Sequence, residues 1–227
     1  MPHDHHDHDH HHEPGSMSPS GHPYREDQDA PLTYSQALEI AVRELMIEKG
    51  LVTADEIAAA IARMEARSPA MGAAVVARAW TDPAFKARLL ADGSAAAREM
   101  GGDIEAMHLL VVENDAETHN VVVCTLCSCY PRFLLGPPPD WYKQRAYRSR
   151  VVIEPRRVLG EFGLDLPEDV AVRVHDSTAD MRYLVLPARP EGTEGWSEEA
   201  LAALVTRDCM IGVAVPRLTD AASAAAQ

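Results

Sequence analysis

Three of the four cysteines, Cys124, Cys127 and Cys129, lie within six residues of one another, and only Cys209 lies elsewhere. A disulfide scaffold distributes its cysteines to close loops, and neighbours such as Cys127 and Cys129 rarely meet the spacing that a bridge needs. Three thiols at a Cys-x2-Cys-x-Cys spacing can instead converge on one metal ion. The cluster therefore predicts metal or redox chemistry.

Three other interpretations of the cluster stay open at this point. A structural zinc site normally takes a fourth ligand from a second pair, and an iron–sulfur cluster normally takes four cysteines at a recognisable spacing. Cys209 lies eighty residues beyond Cys129 without a neighbouring cysteine, which weakens both. A redox Cys-x-x-Cys pair would leave Cys129 without a role.

The composition excludes several classes of protein. The 227 residues are 46% hydrophobic and 25% charged, which suits one ordinary domain with extended arms. A net charge of −14 argues against nucleic-acid binding, which needs a basic surface. We expect no membrane-spanning segment, because no stretch approaches the ~20 apolar residues required. The N-terminus has no apolar core of a signal peptide, so we expect a cytoplasmic location.

The sequence divides into four segments that differ in composition. Residues 1–30 hold eight of the eleven histidines and seven acidic residues, which predicts a disordered arm that attracts metal ions, with an affinity tag as the alternative. Residues 31–101 follow helical spacing and predict a helical arm that contacts a partner. Residues 102–218 predict a metal-binding α+β domain, and residues 219–227 predict a disordered tail.

Local patterns place the cluster among these elements. A helical pattern begins at Thr33. Thr53 with Glu56, and Asp82 with Pro83, have the residue types that begin further helices. Further elements are predicted at four groups of positions: strands over 108–113 and 119–124, a hairpin of 170–174 with 182–186, short helices from Asp140 and Pro155, and a last helix capped by Ser197. The second strand leads directly into the cysteines.

The segment Val-Cys-Thr-Leu-Cys-Ser-Cys-Tyr-Pro, over 123–131, resembles the metal-binding loop of the alpha subunit of nitrile hydratases and of the related subunit of thiocyanate hydrolase. The resemblance continues in order through further segments: Trp141-Tyr142-Lys143, Tyr147-Arg148, Glu154-Pro155-Arg156, Gly192-Thr193-Glu194-Gly195 and Val205-Thr206-Arg207-Asp208. It implies a helical arm followed by a layered α-β-β-α domain. It also implies hydration of a nitrile to an amide, with thiocyanate hydrolysis as the alternative.

The resemblance implies a complete ligand set. Cys124, Cys127 and Cys129 would supply three sulfurs, and the backbone amides of Ser128 and Cys129 would supply two nitrogens. Cys127 and Cys129 match cysteines that the family oxidises to sulfinic and sulfenic acids, which makes Cys129 a candidate catalytic nucleophile. Thr125 stands where the cobalt enzymes of this family carry threonine and the iron enzymes serine. The implied cofactor is therefore one cobalt(III) ion per chain.

The resemblance also implies partners. Arginines of another subunit hold the oxidised cysteines in this family, so we expect a beta-type subunit or two smaller partner subunits, and a cobalt activator or chaperone as a further partner. The histidine-rich arm leaves a non-catalytic cobalt carrier as a second alternative.

Five other residues have weighed interpretations. Glu105 aligns with a glutamine of many nitrile hydratases, so it is a candidate acid or base or a marker of a different substrate. Arg156 is a candidate catalytic residue near the cluster, with a surface arginine as the alternative. Arg132 stands where many nitrile hydratases have tryptophan, and it would favour an anionic substrate. His119 is expected to be a hydrogen-bonded structural histidine and Cys209 a small buried residue.

Overall fold

The structure of the chain is a computed structural model that describes residues 32–218 except 103, 105 and 106. The predicted disordered segments, 1–30 and 219–227, lie outside the described residues, so they stay predictions. The chain divides into two compact units, Met1–Ile57 and Ala58–Gln227. Within the described part of the chain, no helix is both long and apolar enough to cross a membrane.

The described part of the first unit consists of helix α1 (Tyr34–Glu48) and the start of α2 (Ala54–Glu65). The predicted capping box of Thr53 with Glu56 is confirmed, and Thr33 caps α1 in the same way. Thr33 Oγ1 accepts a hydrogen bond from the backbone N of Gln36 at 3.3 Å, and Thr53 Oγ1 accepts one from the N of Glu56 at 3.1 Å. No side chain of α1 is buried, so its apolar face has no cover from the residues that the structure describes.

Three further helices begin the second unit's core: α3 (Ala70–Thr81), α4 (Pro83–Ala91) and α5 (Gly93–Glu99). Asp82 caps α4 as predicted, because its Oδ1 accepts from the N of Ala84 and of Phe85, both at 3.0 Å. The small residues of α3 let it pack closely against the rest of the core.

Among the described residues, four strands form two parallel pairs. Strand β1 (His108–Glu113) pairs with β4 (Met181–Leu186), and β2 (Thr118–Val123) pairs with β3 (Ala171–Asp176). The predicted hairpin of 170–174 with 182–186 is therefore wrong. Each of these two strands instead pairs with an earlier strand that buries apolar side chains, and the turn between them carries the chain from one sheet to the other.

Short helices connect and cover the strands. In the described residues they are α6 (Arg132–Leu135), α7 (Asp140–Lys143), α8 (Arg145–Arg150), α9 (Pro155–Glu161), α10 (Glu198–Ala202) and α11 (Arg207–Ile211). The predicted helices from Asp140 and Pro155 are confirmed. Ser197 caps α10 as predicted, and a second cap, Thr206, begins α11. The content of helices and strands confirms the α+β class.

Strand β2 is the element that positions the cysteines. Its residues 121–123 are fully buried, and Cys124 follows them directly. The end of α11 lies against this strand at Gly212, which has φ +93° and whose added Cβ would stand 2.0 Å from the carbonyl oxygen of Asn120. Only glycine fits this approach. The cysteine loop therefore leaves a rigid part of the core.

Candidate metal centre

The sulfurs of Cys124, Cys127 and Cys129 converge as the spacing predicted. The Sγ of Cys127 lies 3.3 Å from that of Cys124 and 3.1 Å from that of Cys129, and all three lie within 4.8 Å of one another. Cys124 is buried, Cys129 half-buried and Cys127 exposed. The cluster therefore presents one side to the core and the other to solvent.

The sulfur separations fit an octahedral ion better than a tetrahedral one. At a metal–sulfur bond of about 2.3 Å, sulfurs about 3.2 Å apart subtend an angle near 90° at the ion, whereas tetrahedral ligands would lie about 3.8 Å apart. Angles near 90° are those of adjacent ligands in a six-coordinate site. The two separations at Cys127 thus fit the implied cobalt site.

Hydrogen bonding in the loop favours a thiolate at Cys127. The thiols of Cys129 and Cys124, followed by the backbone N–H groups of Cys129 and Ser128, lower the pKa of Cys127 to about 7. Burial, and then the hydrogen bond to Cys127, raises the pKa of Cys129 to about 12. The metal-free loop therefore carries its first negative charge on Cys127, with the two implied amide ligands of Ser128 and Cys129 directed towards the same region.

Asp176 forms hydrogen bonds with Thr125, the residue that follows Cys124. Its Oδ1 accepts from the backbone N of Thr125 at 2.9 Å, and its Oδ2 accepts from Thr125 Oγ1 at 2.6 Å. The parallel register places Asp176 beside Val123, at the carboxyl end of β3. Asp176 was not predicted from the sequence, because the local pattern pairs β3 with β4 in a hairpin rather than with β2.

Buried tyrosines support the loop from the core side. The hydroxyl of Tyr142 donates to the carbonyl oxygen of Cys129 at 2.9 Å, and that of Tyr147 donates to the carbonyl oxygen of Val122 at 2.7 Å. The two rings pack with Trp141, whose centroid lies 5.9 Å from Tyr142 and 4.9 Å from Tyr147. These aromatic residues fix the backbone on both sides of the cysteines.

His119 is a structural histidine, as predicted. Its Nε2–H donates to the carbonyl oxygen of Gly212 at 2.7 Å, and its Nδ1 accepts from the side-chain amide of Asn114 at 3.2 Å. Burial lowers the pKa of His119, which agrees with a neutral ring. Both ring nitrogens are occupied, so His119 cannot ligate the metal. Cys209 is buried, which confirms the second structural prediction.

A cavity of 390 Å³ opens over the solvent side of the cluster. Its lining consists of three residues of the cysteine loop, three basic residues and four apolar or aromatic residues: Cys127, Ser128, Cys129, Arg67, Arg132, Arg182, Met64, Met107, Tyr130 and Phe133. Of the three arginines, only Arg132 was predicted from the sequence to lie near the cluster. Arg182 comes from β4, whose pairing the sequence did not predict.

Arg156 does not line this cavity. Arg156 donates to the carbonyl oxygens of Leu166 at 3.3 Å and Pro167 at 3.1 Å, and it lines a separate cavity of 160 Å³ beside α9. Its contacts are those of a residue that fixes the segment before β3, and its role near the cluster stays a prediction. Glu105 lies outside the described residues, so its role also stays a prediction.

Comparison with known proteins identifies the family. Residues 33–214 match the family model "Nitrile hydratase, alpha chain". The chain is 52% identical over 178 residues to the alpha subunit of the low-molecular-weight cobalt-containing nitrile hydratase of Rhodococcus rhodochrous, covering 78% of this chain and 86% of that one. The chain therefore belongs to the nitrile hydratase alpha-chain family.

Thiocyanate hydrolase is a second group of relatives. The gamma subunit of the enzyme from Thiobacillus thioparus is 46% identical over 194 residues, which are 80% of each chain. A solved structure of a recombinant thiocyanate hydrolase with partially modified cobalt centres superposes with a TM-score of 0.77 at 45% identity, covering 82% of this chain and 92% of that one. The predicted resemblance to nitrile hydratase alpha subunits and to the related thiocyanate hydrolase subunit is therefore confirmed.

Proposed function

We propose that this chain is the metal-bearing alpha subunit of a cobalt nitrile hydratase, which converts a nitrile to the corresponding amide. The observation that carries the proposal is the convergence of three cysteine sulfurs, at separations suited to a six-coordinate ion, on the floor of a cavity. Two relatives with 52% and 53% sequence identity are named as cobalt-containing nitrile hydratase subunits, which supports cobalt as the bound metal.

The chain's own residues would prepare the site for this chemistry. Cys124, Cys127 and Cys129 would hold cobalt(III) together with the amides of Ser128 and Cys129, and the bound ion would supply a Lewis acid that polarises the nitrile or acidifies water. Thr125, fixed by Asp176, would keep the loop closed around the ion. Cys129 lines the cavity, so an oxygen added to its sulfur would face an incoming nitrile carbon.

The test uses the chain assembled with its partner subunits. We expect cobalt as the bound metal, two added oxygens on Cys127 and one on Cys129 by intact mass and peptide mapping, and release of an amide from a nitrile. Cys127→Ser is expected to lose the metal, whereas Cys209→Ser is the matched control that keeps it. Zinc as the only metal, unmodified cysteines and no amide product would contradict the proposal.

Thiocyanate hydrolysis is the second candidate function. Arg132 and Arg182 line the cavity beside the cysteines, and positive charge there favours an anionic substrate. The same assembly would convert thiocyanate to carbonyl sulfide and ammonia. Release of ammonia from thiocyanate, without amide formation from any nitrile tested, would support this candidate over the first.

We also propose that α1 contacts a partner subunit in a cytoplasmic hetero-oligomer. A groove of 610 Å³ on the first unit is lined by the apolar side chains of Leu38, Val42, Met46, Val52 and Ile57, and Val42 is 48% exposed. Such an apolar face in water is typical of a protein interface. Val42→Asp is expected to prevent assembly in size-exclusion chromatography. Ala41→Asp adds the same charge to α1 outside the groove and should assemble normally.

A further inference from the structure

Two asparagines and two histidines form a chain of hydrogen bonds through the core that precedes the cysteine loop. Asn120 is 3% exposed, and its Nδ2 donates to Oδ1 of Asn114 at 3.0 Å. The side-chain amide of Asn114 donates to His119, which donates to the carbonyl oxygen of Gly212. At the other end, Nε2 of His175 lies 2.8 Å from Oδ1 of Asn120. The chain of bonds therefore links β2 to β3 and to the end of α11.

The contacts of Asn120 determine the direction of its bond with His175. Its Nδ2 donates to the carbonyl oxygen of Glu113 at 2.7 Å as well as to Asn114, so its Oδ1 has to accept. His175 therefore donates through Nε2–H, and Oδ1 of Asn120 has no other donor among the residues that the structure describes. Because an unpaired buried oxygen destabilises the protein, this bond holds His175 to β2.

His175 is also held from the other sheet, one residue before Asp176. Its ring lies 5.0 Å from the ring of Tyr183 on β4, at an interplanar angle of 37°. Two side chains from different strands, Asn120 and Tyr183, therefore fix the end of β3. That end carries Asp176, whose carboxylate accepts both hydrogen bonds from Thr125. Any movement of this end of β3 would lengthen the bonds that hold the cysteine loop.

We propose that His175 is a positioning residue for the metal site. By fixing the end of β3, it keeps the carboxylate of Asp176 within hydrogen-bond distance of Thr125, and the loop stays in the shape that brings the three sulfurs together. His175 acts through Asp176 and not by binding the ion. The inference rests on the proposed cobalt site, and it holds for a nitrile or for thiocyanate as the substrate.

The test separates the hydrogen bond of His175 from its ring contact. His175→Gln keeps an N–H donor for Asn120, whereas His175→Phe keeps a ring beside Tyr183 and has no donor. Binding of cobalt(II) to the reduced full-length chain is followed under argon by sulfur-to-cobalt charge-transfer absorption, in competition with a chelator. This absorption reports the cysteines alone, because the histidines of residues 1–30 supply no thiolate. We expect His175→Phe to weaken cobalt binding roughly fivefold, the factor that corresponds to one neutral hydrogen bond, and His175→Gln to keep the native affinity.

Two further variants separate positioning from an effect on stability alone. His175→Met also lacks a donor but can adapt its shape, so it should weaken cobalt binding as much as His175→Phe. Thr193→Val is the matched control, because it removes a buried hydroxyl that donates to the carbonyl oxygen of Pro190 at 2.7 Å, in the segment between β4 and α10. This control should lower the free energy of unfolding and leave cobalt binding unchanged.

The Asp176→Ala background shows whether His175 acts through Asp176. In that background His175→Phe should leave cobalt binding unchanged, although it should still lower the free energy of unfolding. An equal loss of affinity in both backgrounds would overturn the proposal. Native affinity in His175→Phe and His175→Met would also overturn it, as would an equal loss in His175→Gln. A native chain that binds cobalt without a charge-transfer band would overturn the proposed cobalt site itself.

Discussion

The bond between Asp176 and Thr125 is expected to stabilise both the cysteine loop and its metal site. Asp176→Ala removes an acceptor for two hydrogen bonds, at 2.9 Å and 2.6 Å, that tie the loop to the end of β3. A hydrogen bond to a charged group contributes about 1.5–3 kcal/mol, and the solvent exposure of Asp176 places this pair near the lower end. We expect Asp176→Ala to lower the free energy of unfolding by about 2 kcal/mol.

The assay is guanidinium-induced unfolding of the metal-free full-length chain, followed by tryptophan fluorescence. Thr125→Val should cost about 1 kcal/mol, because it removes only the side-chain donor, and the double variant should cost little more than Asp176→Ala alone. Asp169→Asn, at the exposed turn before β3, removes the same charge and is the control for Asp176→Ala. Chelator competition should show that Asp176→Ala weakens metal binding by roughly 10–100-fold.

Two results would refute this reasoning. If the effects of Asp176→Ala and Thr125→Val simply add, the two residues do not act through their mutual bond, whatever the cost of each. If the metal affinity of Asp176→Ala equals that of the native chain, the loop keeps its shape without Asp176. A loss of metal affinity equal to that of Asp169→Asn would point to net charge rather than to position.

Three further predictions follow from the site and its surroundings. Gly212→Ala should lower the free energy of unfolding by more than about 3 kcal/mol, because the added methyl group would overlap the backbone of Asn120. Gly163 also has a positive φ, +77°, but no atom lies near its added methyl group, so Gly163→Ala should lower the free energy of unfolding by only about 1 kcal/mol. Folded His119 binds fewer protons than the unfolded chain, so stability should fall as the pH drops below 6.5, and His119→Gln should reduce that slope. In the metal-free chain, iodoacetamide should modify Cys127 with an apparent pKa of about 7, and well before buried Cys124; equal rates would contradict the proposed thiolate.

Short-range patterns predicted the parts of the site that are contiguous in sequence. The capping residues Thr53 and Asp82, the strand before Cys124 and the spacing of the cysteines all act over a few residues, and the structure confirms them. The contributions of Asp176 and Arg182 depend on which strands pair. Local spacing favours a hairpin for two successive strands, and it contains no information on the parallel partners that buried apolar strands select.

The pairing of β2 with β3 also has a consequence for the order of events during synthesis. Asp176 is made 53 residues after its partner position, Val123. At about 5–20 residues per second, a ribosome needs roughly 3–10 seconds to cover that distance. During that interval all three thiols exist without the strand that fixes their loop. A metal ion captured then would bind a flexible peptide with no geometric selection, so selective loading with cobalt has to follow completion of the β3 strand.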